Sequence, residues 1–441
     1  MVDLNFQKYP AYKSSGVEWL GDIPEHWEMR KLKYIAIINM GQSPNSDEYS
    51  YEGEGKPFLQ GNAEFGKLNP SPKIYCKTAN KYADSGDILL SVRAPVGALN
   101  IANQSYGIGR GLCAIKTRQE KISPNYTWYL LMIVRQELYR LATGSTYDAV
   151  SVGEVASLTC ILPPLLEQQA IANFLDKQLA QIDKYISKKQ RMIELLKEQK
   201  TVIINQAVTK GLNADVPMKF SGIEWLGEIP EHWEVRKVKH LAKNDHGIVQ
   251  TGPFGAQLHA SDYVEEGVPL ILIRNVKNLH IDDSNIPKIS EEKAQSLSIY
   301  RLQVGDIVFS RVGSIGRIAL VTEREKGWMI SGQMLRLRIN HPILYNYFSV
   351  HIFSSSLVSN FVGFYSVGST RDSINTEILR NFVMPIPPLP EQKEIALFIE
   401  KKSEKIERSL ATIEKEIKLI QEYRTTLISE TVTGKIKVIN G

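Results

Sequence analysis

Residues 13–33, KSSGVEWLGDIPEHWEMRKLK, recur at residues 219–239 as KFSGIEWLGEIPEHWEVRKVK, with 16 of 21 positions identical at an offset of 206. A chain written twice should fold as two like units. A second matched pair, LPPLLEQQAIANFL at 162–175 and IPPLPEQKEIALFI at 386–399, is offset by 224, and its phase holds to Val208-Thr209 against Val432-Thr433. The second copy therefore carries 18 extra residues between its anchors, the difference of 224 and 206. The period is far longer than the roughly 20–50 residues of stacked repeats, so the unit duplicated is a domain with its helix.

Between the anchors the copies diverge, yet landmarks survive. Gly86-Asp87-Ile88-Leu89-Leu90-Ser91 matches Gly305-Asp306-Ile307-Val308-Phe309-Ser310, a turn that opens a short apolar strand. Each copy then has an apolar and aromatic helical stretch, beginning at Pro124 and Pro342, that runs on to Gly144-Ser145-Thr146 or Gly368-Ser369-Thr370. Gly, Pro and Asn between short alternating segments predict strands and turns, so each globular part is mixed α and β.

The Pro-Pro-Leu that closes each globular part is a stop signal, and the Glu-Gln after it places a carboxylate in the first turn of a helix, where the dipole favours it. A heptad then puts Leu175, Leu179, Ile182, Ile186, Lys189, Ile193, Leu196, Lys200, Ile203 and Ala207 on one seam. The equivalent second-copy positions are Ile399, Ser403, Ile406, Leu410, Ile413, Ile417, Ile420, Arg424, Leu427 and Thr431. Helices of about 40 residues reach roughly 60 Å, too long to pack usefully on one small domain. The expectation is that they pack on each other.

Composition narrows the function classes. With 43% hydrophobic and 23% charged residues in 441, the chain is of ordinary globular make-up. No run of about 18 apolar residues and no signal-peptide pattern is present, which predicts a cytoplasmic protein. Cys76, Cys113 and Cys160 are widely spaced without a CxxC pair, arguing against a disulfide framework or zinc site. The net charge of +5 is spread evenly: 17 basic against 16 acidic residues over 1–160, 8 against 5 over 161–213, 18 against 18 over 214–385 and 10 against 9 over 386–441. A protein holding nucleic acid by phosphate neutralisation alone would show one strongly basic domain.

Chemistry-bearing motifs have structural readings. His26 and His232 stand in the repeated Glu-His-Trp without a second ligand nearby, and Trp27 and Trp233 read as core anchors. Gly107, Gly109 and Gly111 resemble a dinucleotide loop superficially, but nothing like them recurs in the second copy, so they read as a turn. Glu198 to Lys200 and Glu416 to Lys418 lie on charged helices and read as solvated faces. There is no GxxxxGK[ST] for ATP, and no Asn-Pro-Pro-aromatic or Asp-Pro-Pro-aromatic motif of the kind that holds a flipped base.

The doubled, ordered set of EWLGxIPEHWE, GDIxxS, Gly-Ser-Thr, PPLxEQ and Val-Thr resembles the specificity subunits of Type I restriction-modification enzymes over essentially the whole chain. Thr251-Gly252-Pro253-Phe254-Gly255 is similar to a common opening of that family's target-recognition domains, whereas the first copy has Met40-Gly41-Gln42-Ser43-Pro44. The resemblance implies an α+β architecture: two duplicated mixed α/β target-recognition domains, joined and separated by two long helices forming an antiparallel coiled coil with pseudo-two-fold symmetry. The expected boundaries are 1–162 and 213–386 for the domains, 163–212 and 387–434 for the helices, and 435–441 for a tail. It implies a non-catalytic reader of an asymmetric bipartite duplex target, with the coiled coil as ruler and docking platform. The implied partners are double-stranded DNA, two methyltransferase subunits using S-adenosylmethionine, and motor-nuclease subunits using ATP and magnesium, with no cofactor in this chain. Two rival readings are a free-standing DNA-modifying enzyme and a coiled-coil scaffold that binds protein only.

For base reading the useful chemistry is Arg to guanine and Asn or Gln to adenine. Gln60 and Asn62 follow a strand-like Pro57-Phe58-Leu59, and Arg93 follows the GDILLS strand. In the second copy Arg274, Asn275 and Lys277 follow Pro269–Ile273, and Arg311 and Arg317 follow the other strand. The ordinary alternative for each is a surface salt bridge or a structural hydrogen bond. Ser145, Thr146, Ser369, Thr370 and Arg371 suit phosphate contact or capping better than base reading.

Overall fold

A computed structural model describes residues 7–45, 48–142, 149–241, 248–277, 279–311, 317–339, 341–365 and 375–438. Ser145, Thr146, Ser369, Thr370 and Arg371 lie outside the described residues. The chain divides into two compact units, Met1–Lys189 with Lys415–Gly441, and Gln190–Glu414.

In the first unit a hairpin pairs Tyr12–Ser14 with Asp22–Pro24, and Glu28–Lys31 then pairs antiparallel with the distant Thr159–Leu162. A four-stranded antiparallel sheet follows in the order Leu99–Ile101, Ile88–Ser91, Leu112–Thr117, Ala36–Met40. Ile88–Ser91 is buried at every position, as a central strand covered on both faces requires. A second sheet holds the parallel pair Lys56–Leu59 and Tyr106–Ile108.

The second unit repeats this order. The hairpin pairs Met218–Phe220 with Glu228–Pro230, and Glu234–Lys237 pairs with Val383–Ile386. The four-stranded sheet runs Ile318–Leu320, Ile307–Ser310, Met334–Leu337, Val249–Thr251, and the parallel pair is Val268–Ile271 with Met329–Ile330. Each unit is therefore an α+β body around its own apolar core, with Trp27 and Trp233 fully buried. All three cysteines are free and buried.

Two long helices, Leu165–Lys210 of 46 residues and Leu389–Val432 of 44, extend over about 69 and 66 Å at ~1.5 Å per residue. Each contributes to both units. In the first unit the two helical segments run antiparallel: Asp183 faces Arg424 at 3.7 Å and Lys189 faces Glu416 at 2.6 Å, so rising numbers on one helix meet falling numbers on the other. Leu175, Leu179 and Ile182 share a core with Leu427, with Ile186 and Ile420 packed against it. In the second unit Lys200 pairs with Glu407 at 2.7 Å, while Ile204, Ala207 and Val208 share a core with Ile395, Ala396 and Ile399. Along the heptad seam Ile399, Ile406, Leu410 and Ile413 are buried, and Ile193, Leu196, Ile203 and Ile417 are half-buried. Burial of this stripe, with charged residues facing solvent, is what stabilises helices too long for their propensity alone. No helix among the described residues is long and apolar enough to cross a membrane.

Candidate nucleic-acid interface

The repeated motifs interlock within each unit. Glu167, in the first turn of the first long helix, accepts hydrogen bonds from Trp27 Nε1 at 2.9 Å and Tyr9 Oη at 3.0 Å, and its other oxygen lies 2.7 Å from His26 Nε2. Glu391 meets the same two partners on one oxygen, with Trp233 Nε1 at 3.1 Å and His232 Nε2 at 2.9 Å. The fully buried Gln168 and Gln392 follow: the amide of each donates to the carbonyl of Pro163 or Pro387 at 2.8 Å and accepts the N–H of Ser123 or Tyr345. Glu-His-Trp and Pro-Pro-Leu-x-Glu-Gln are thus two halves of one joint between globular body and helix. The histidines belong to this joint, and among the described residues no group of His, Cys, Asp and Glu could hold a metal ion.

A second set of contacts repeats at one end of each four-stranded sheet. In the first unit the Gly41 N–H donates to the Leu112 carbonyl at 2.8 Å, the Gly109 N–H to Leu59 at 2.8 Å, and the Val92 N–H to Gly111 at 3.0 Å. In the second, Gly252 donates to Met334 at 3.1 Å, Ser331 to Ile271 at 3.0 Å, and Arg311 to Gln333 at 2.9 Å. The two sets are one frame built twice. Its tightest point is Gly41 or Gly252, where an added Cβ would lie 2.1 Å from the carbonyl oxygen of Gly109 or Ser331, so only glycine fits.

Each frame opens a cleft at the same place. The first, of about 460 Å³, is lined by Ser43, Tyr49, Gln60, Asn62, Arg93 and Arg110 together with Gly61, Ala94 and Gly111. The second, of about 630 Å³, is lined by Phe254, Leu258, Tyr263, Leu272, Arg311 and Gln333 together with Pro253, Gly255, Ser331 and Gly332. Among the described residues neither lining contains a carboxylate, although acidic residues nearly balance basic ones in the whole chain. The first cleft is amide- and arginine-rich; the second sets one arginine and one glutamine among mostly apolar side chains, with the hydroxyls of Tyr263 and Ser331. Clefts whose described linings carry arginine and no carboxylate suit an anionic ligand whose polar edges need bidentate partners.

Gln60, Asn62 and Arg93, candidates for base reading from sequence, line the first cleft, and Arg311 lines the second. Arg110, Ser43, Tyr49 and Gln333 were not expected. Arg110 sits in the glycine run, whose turn projects it into the cleft, and its backbone N–H donates to Ser43 Oγ at 3.4 Å. The remaining second-copy candidates lie elsewhere. Asn275 is 2% exposed, its amide oxygen accepts the Leu272 N–H at 3.1 Å and its amide nitrogen donates to the Asp282 carbonyl at 3.0 Å. In this fold its amide serves the local backbone. Arg274 donates to the Asn285 carbonyl at 3.3 Å and Arg317 to the Ile273 carbonyl at 3.3 Å, and Lys277 is exposed on the short strand Val276–Lys277. None of the three lines either cleft.

The family model described as the Type I restriction modification DNA specificity domain matches the chain twice, at residues 24–195 and 230–419. Among relatives, the putative type I restriction enzyme MjaX specificity subunit of Methanocaldococcus jannaschii is 43% identical over 201 residues, 45% of this chain and 46% of that protein's own length. The type I restriction enzyme EcoBI specificity subunit of Escherichia coli is 24% identical over 404 residues, 87% of this chain and 81% of that one. Among solved structures, a chain from a study of assembly and conformational transition in the type I R-M system has a TM-score of 0.70 at 14% identity, covering 93% of this chain and 98% of its own. The HsdS subunit from Thermoanaerobacter tengcongensis has a TM-score of 0.52 at 15% identity, covering 94% and 98%.

Proposed function

The chain belongs to the Type I restriction-modification DNA specificity family, and from that premise we propose that its two clefts read the two halves of an asymmetric, bipartite duplex target. The role is a specificity role rather than a catalytic one. The observation that carries the reading is the placement, on one repeated frame, of two clefts of unlike chemistry whose described linings hold arginine and no carboxylate. Equivalent placement gives both copies the same way of approaching a groove, and unlike linings give them different bases to select.

In the first cleft Gln60 and Asn62 offer the paired donor and acceptor that match adenine N6 and N7 in the major groove, while Arg93 and Arg110 offer forked donors for guanine or phosphate. Bases outside the clefts go unread, which leaves a spacer between the half-sites. The long helices, shared by both units, serve as spacer element and docking platform. Methyl transfer and cleavage fall to partners in the assembled enzyme: two methyltransferase subunits carrying S-adenosylmethionine, and motor-nuclease subunits using ATP and magnesium. The site of action is the cytoplasm, where the DNA is. A reader whose partners help to enclose DNA need not supply the whole phosphate grip, in keeping with the near-neutral charge.

The test is Gln60→Ala with Asn62→Ala in the complex reconstituted with its methyltransferase subunits. Affinity for the specific duplex should fall by about 1–3 kcal/mol per lost bidentate contact, with relaxed selectivity in one half-site only. Unchanged selectivity in both half-sites would contradict the reading.

A further inference from the structure

We propose that Phe254 is a positioning residue that holds the Arg311 guanidinium in place to read a guanine in the half-site of the second unit. The inference rests on the reading of that cleft as a DNA-reading one. Arg311 stands 5.1 Å from the Phe254 ring centroid, over its face. Among the described residues its guanidinium has no ion pair, whereas Arg324, Arg338 and Arg301 in the same unit are each tied to a carboxylate. An arginine that is held in a cleft by a ring rather than by an acid keeps its N–H groups available in the plane of the guanidinium. Those are the donors that guanine O6 and N7 take bidentately.

The ring that Arg311 covers is itself open to solvent. Phe254 is 49% exposed, a large apolar side chain left half in solvent. Its position is nevertheless fixed on two sides. Gly252 leaves no room for a Cβ against the Ser331 carbonyl, and a Cβ at Gly332 would lie 2.4 Å from the Pro253 carbonyl oxygen and 3.4 Å from Phe254 Cδ1. The arginine backbone is fixed too, because the Arg311 N–H donates to Gln333 O at 2.9 Å on the far side of the same turn. Ring, turn and arginine therefore form one preassembled reader. Preassembly matters because a free arginine loses rotamer entropy on binding, and a stacked one has lost most of it already. The Thr251-Gly252-Pro253-Phe254-Gly255 sequence thereby gains a chemical purpose: glycine for the close backbone approach, phenylalanine for the stack.

The experiment uses the full chain assembled with its methyltransferase subunits and duplexes carrying the target motif found by methylome sequencing. Each guanine of the second half-site is replaced in turn by 7-deazaguanine, which lacks the N7 acceptor. Wild-type complex should lose about 10-fold in specific affinity at one such position, and Arg311→Ala should bind natural and modified duplex alike. Phe254→Leu should lower specific affinity about 3- to 10-fold while non-specific affinity stays unchanged, and Phe254→Trp should restore it. Equal loss of specific and non-specific binding in Phe254→Leu, or no loss at all, overturns the positioning role. Indifference of the wild type to 7-deazaguanine at every position overturns the guanine assignment. Intact selectivity of Arg311→Ala at the second half-site overturns the reading of the cleft itself.

Discussion

The carboxylate of Glu167 accepts the indole N–H of Trp27 at 2.9 Å, joining residues 140 apart, and Glu391 does the same for Trp233 at 3.1 Å. Each glutamate is the point where a globular body grips the start of its long helix. Removing it orphans a buried indole donor and the Tyr9 hydroxyl. Glu167→Ala should therefore destabilise the first unit by about 2–3 kcal/mol, the usual cost of losing hydrogen bonds to a charged acceptor, and Glu167→Gln by less. Urea unfolding followed by tryptophan fluorescence measures it, and a Glu167→Ala midpoint equal to wild type would contradict the joint.

The seam of the long helices gives a second expectation. Ile182 and Ile406 are 6% and 7% exposed, and Ile182 shares its core with Leu427 and Ile428. An aspartate at either position buries a charge without a partner and removes packing, at a cost of several kcal/mol. Specific DNA binding by the assembled complex carrying Ile182→Asp and Ile406→Asp should be lost before circular dichroism reports unfolding of the β-rich bodies. Binding at wild-type strength would show that the seam is not what holds the helices.

A pH dependence follows from His351, which is 7% exposed with Nδ1 unpartnered, and whose pKa is lowered from 6.5 to about 4 by burial and, secondarily, by Lys200. The folded state excludes a proton that the unfolded chain binds, so this residue's contribution is complete above pH ~6.5 and is lost as pH falls towards ~4. The loss amounts to about 3 kcal/mol at the acid end, since each pKa unit is worth ~1.4 kcal/mol. His351→Gln should flatten the stability curve between these limits relative to wild type. Parallel curves for the two proteins would refute it.

The duplication, the helix starts and the heptad seam are legible in the sequence because each depends on residues near one another or on an exact repeat. Trp27 and Glu167 can be recognised as repeated motifs, but their contact cannot, because it closes over 140 residues. The clefts are half legible for the same reason. Gln60, Asn62 and Arg93 carry the right chemistry just after apolar strands, and the sheet brings those strand ends together. Arg274, Asn275 and Arg317 have the same sequence signal, yet their polar groups are used by the carbonyls of Asn285, Asp282 and Ile273. Polar groups after a strand can serve the local backbone or a ligand, and only the fold decides between them. Arg110 and Gln333 were hidden because each lies in a turn whose meaning comes from a neighbouring strand; an arginine flanked by Gly109 and Gly111 was the available signal.

The central claim is that each copy reads its own half of the target, and exchanging one reader tests it most directly. Residues 34–161, which contain the whole first cleft, are replaced by the corresponding segment of another family member, and the methylated motif of cells expressing the hybrid complex is sequenced. The account predicts that one half-site changes while the other half-site and the number of unread base pairs between them stay as they were. A hybrid in which both half-sites change together, or neither does, would contradict it.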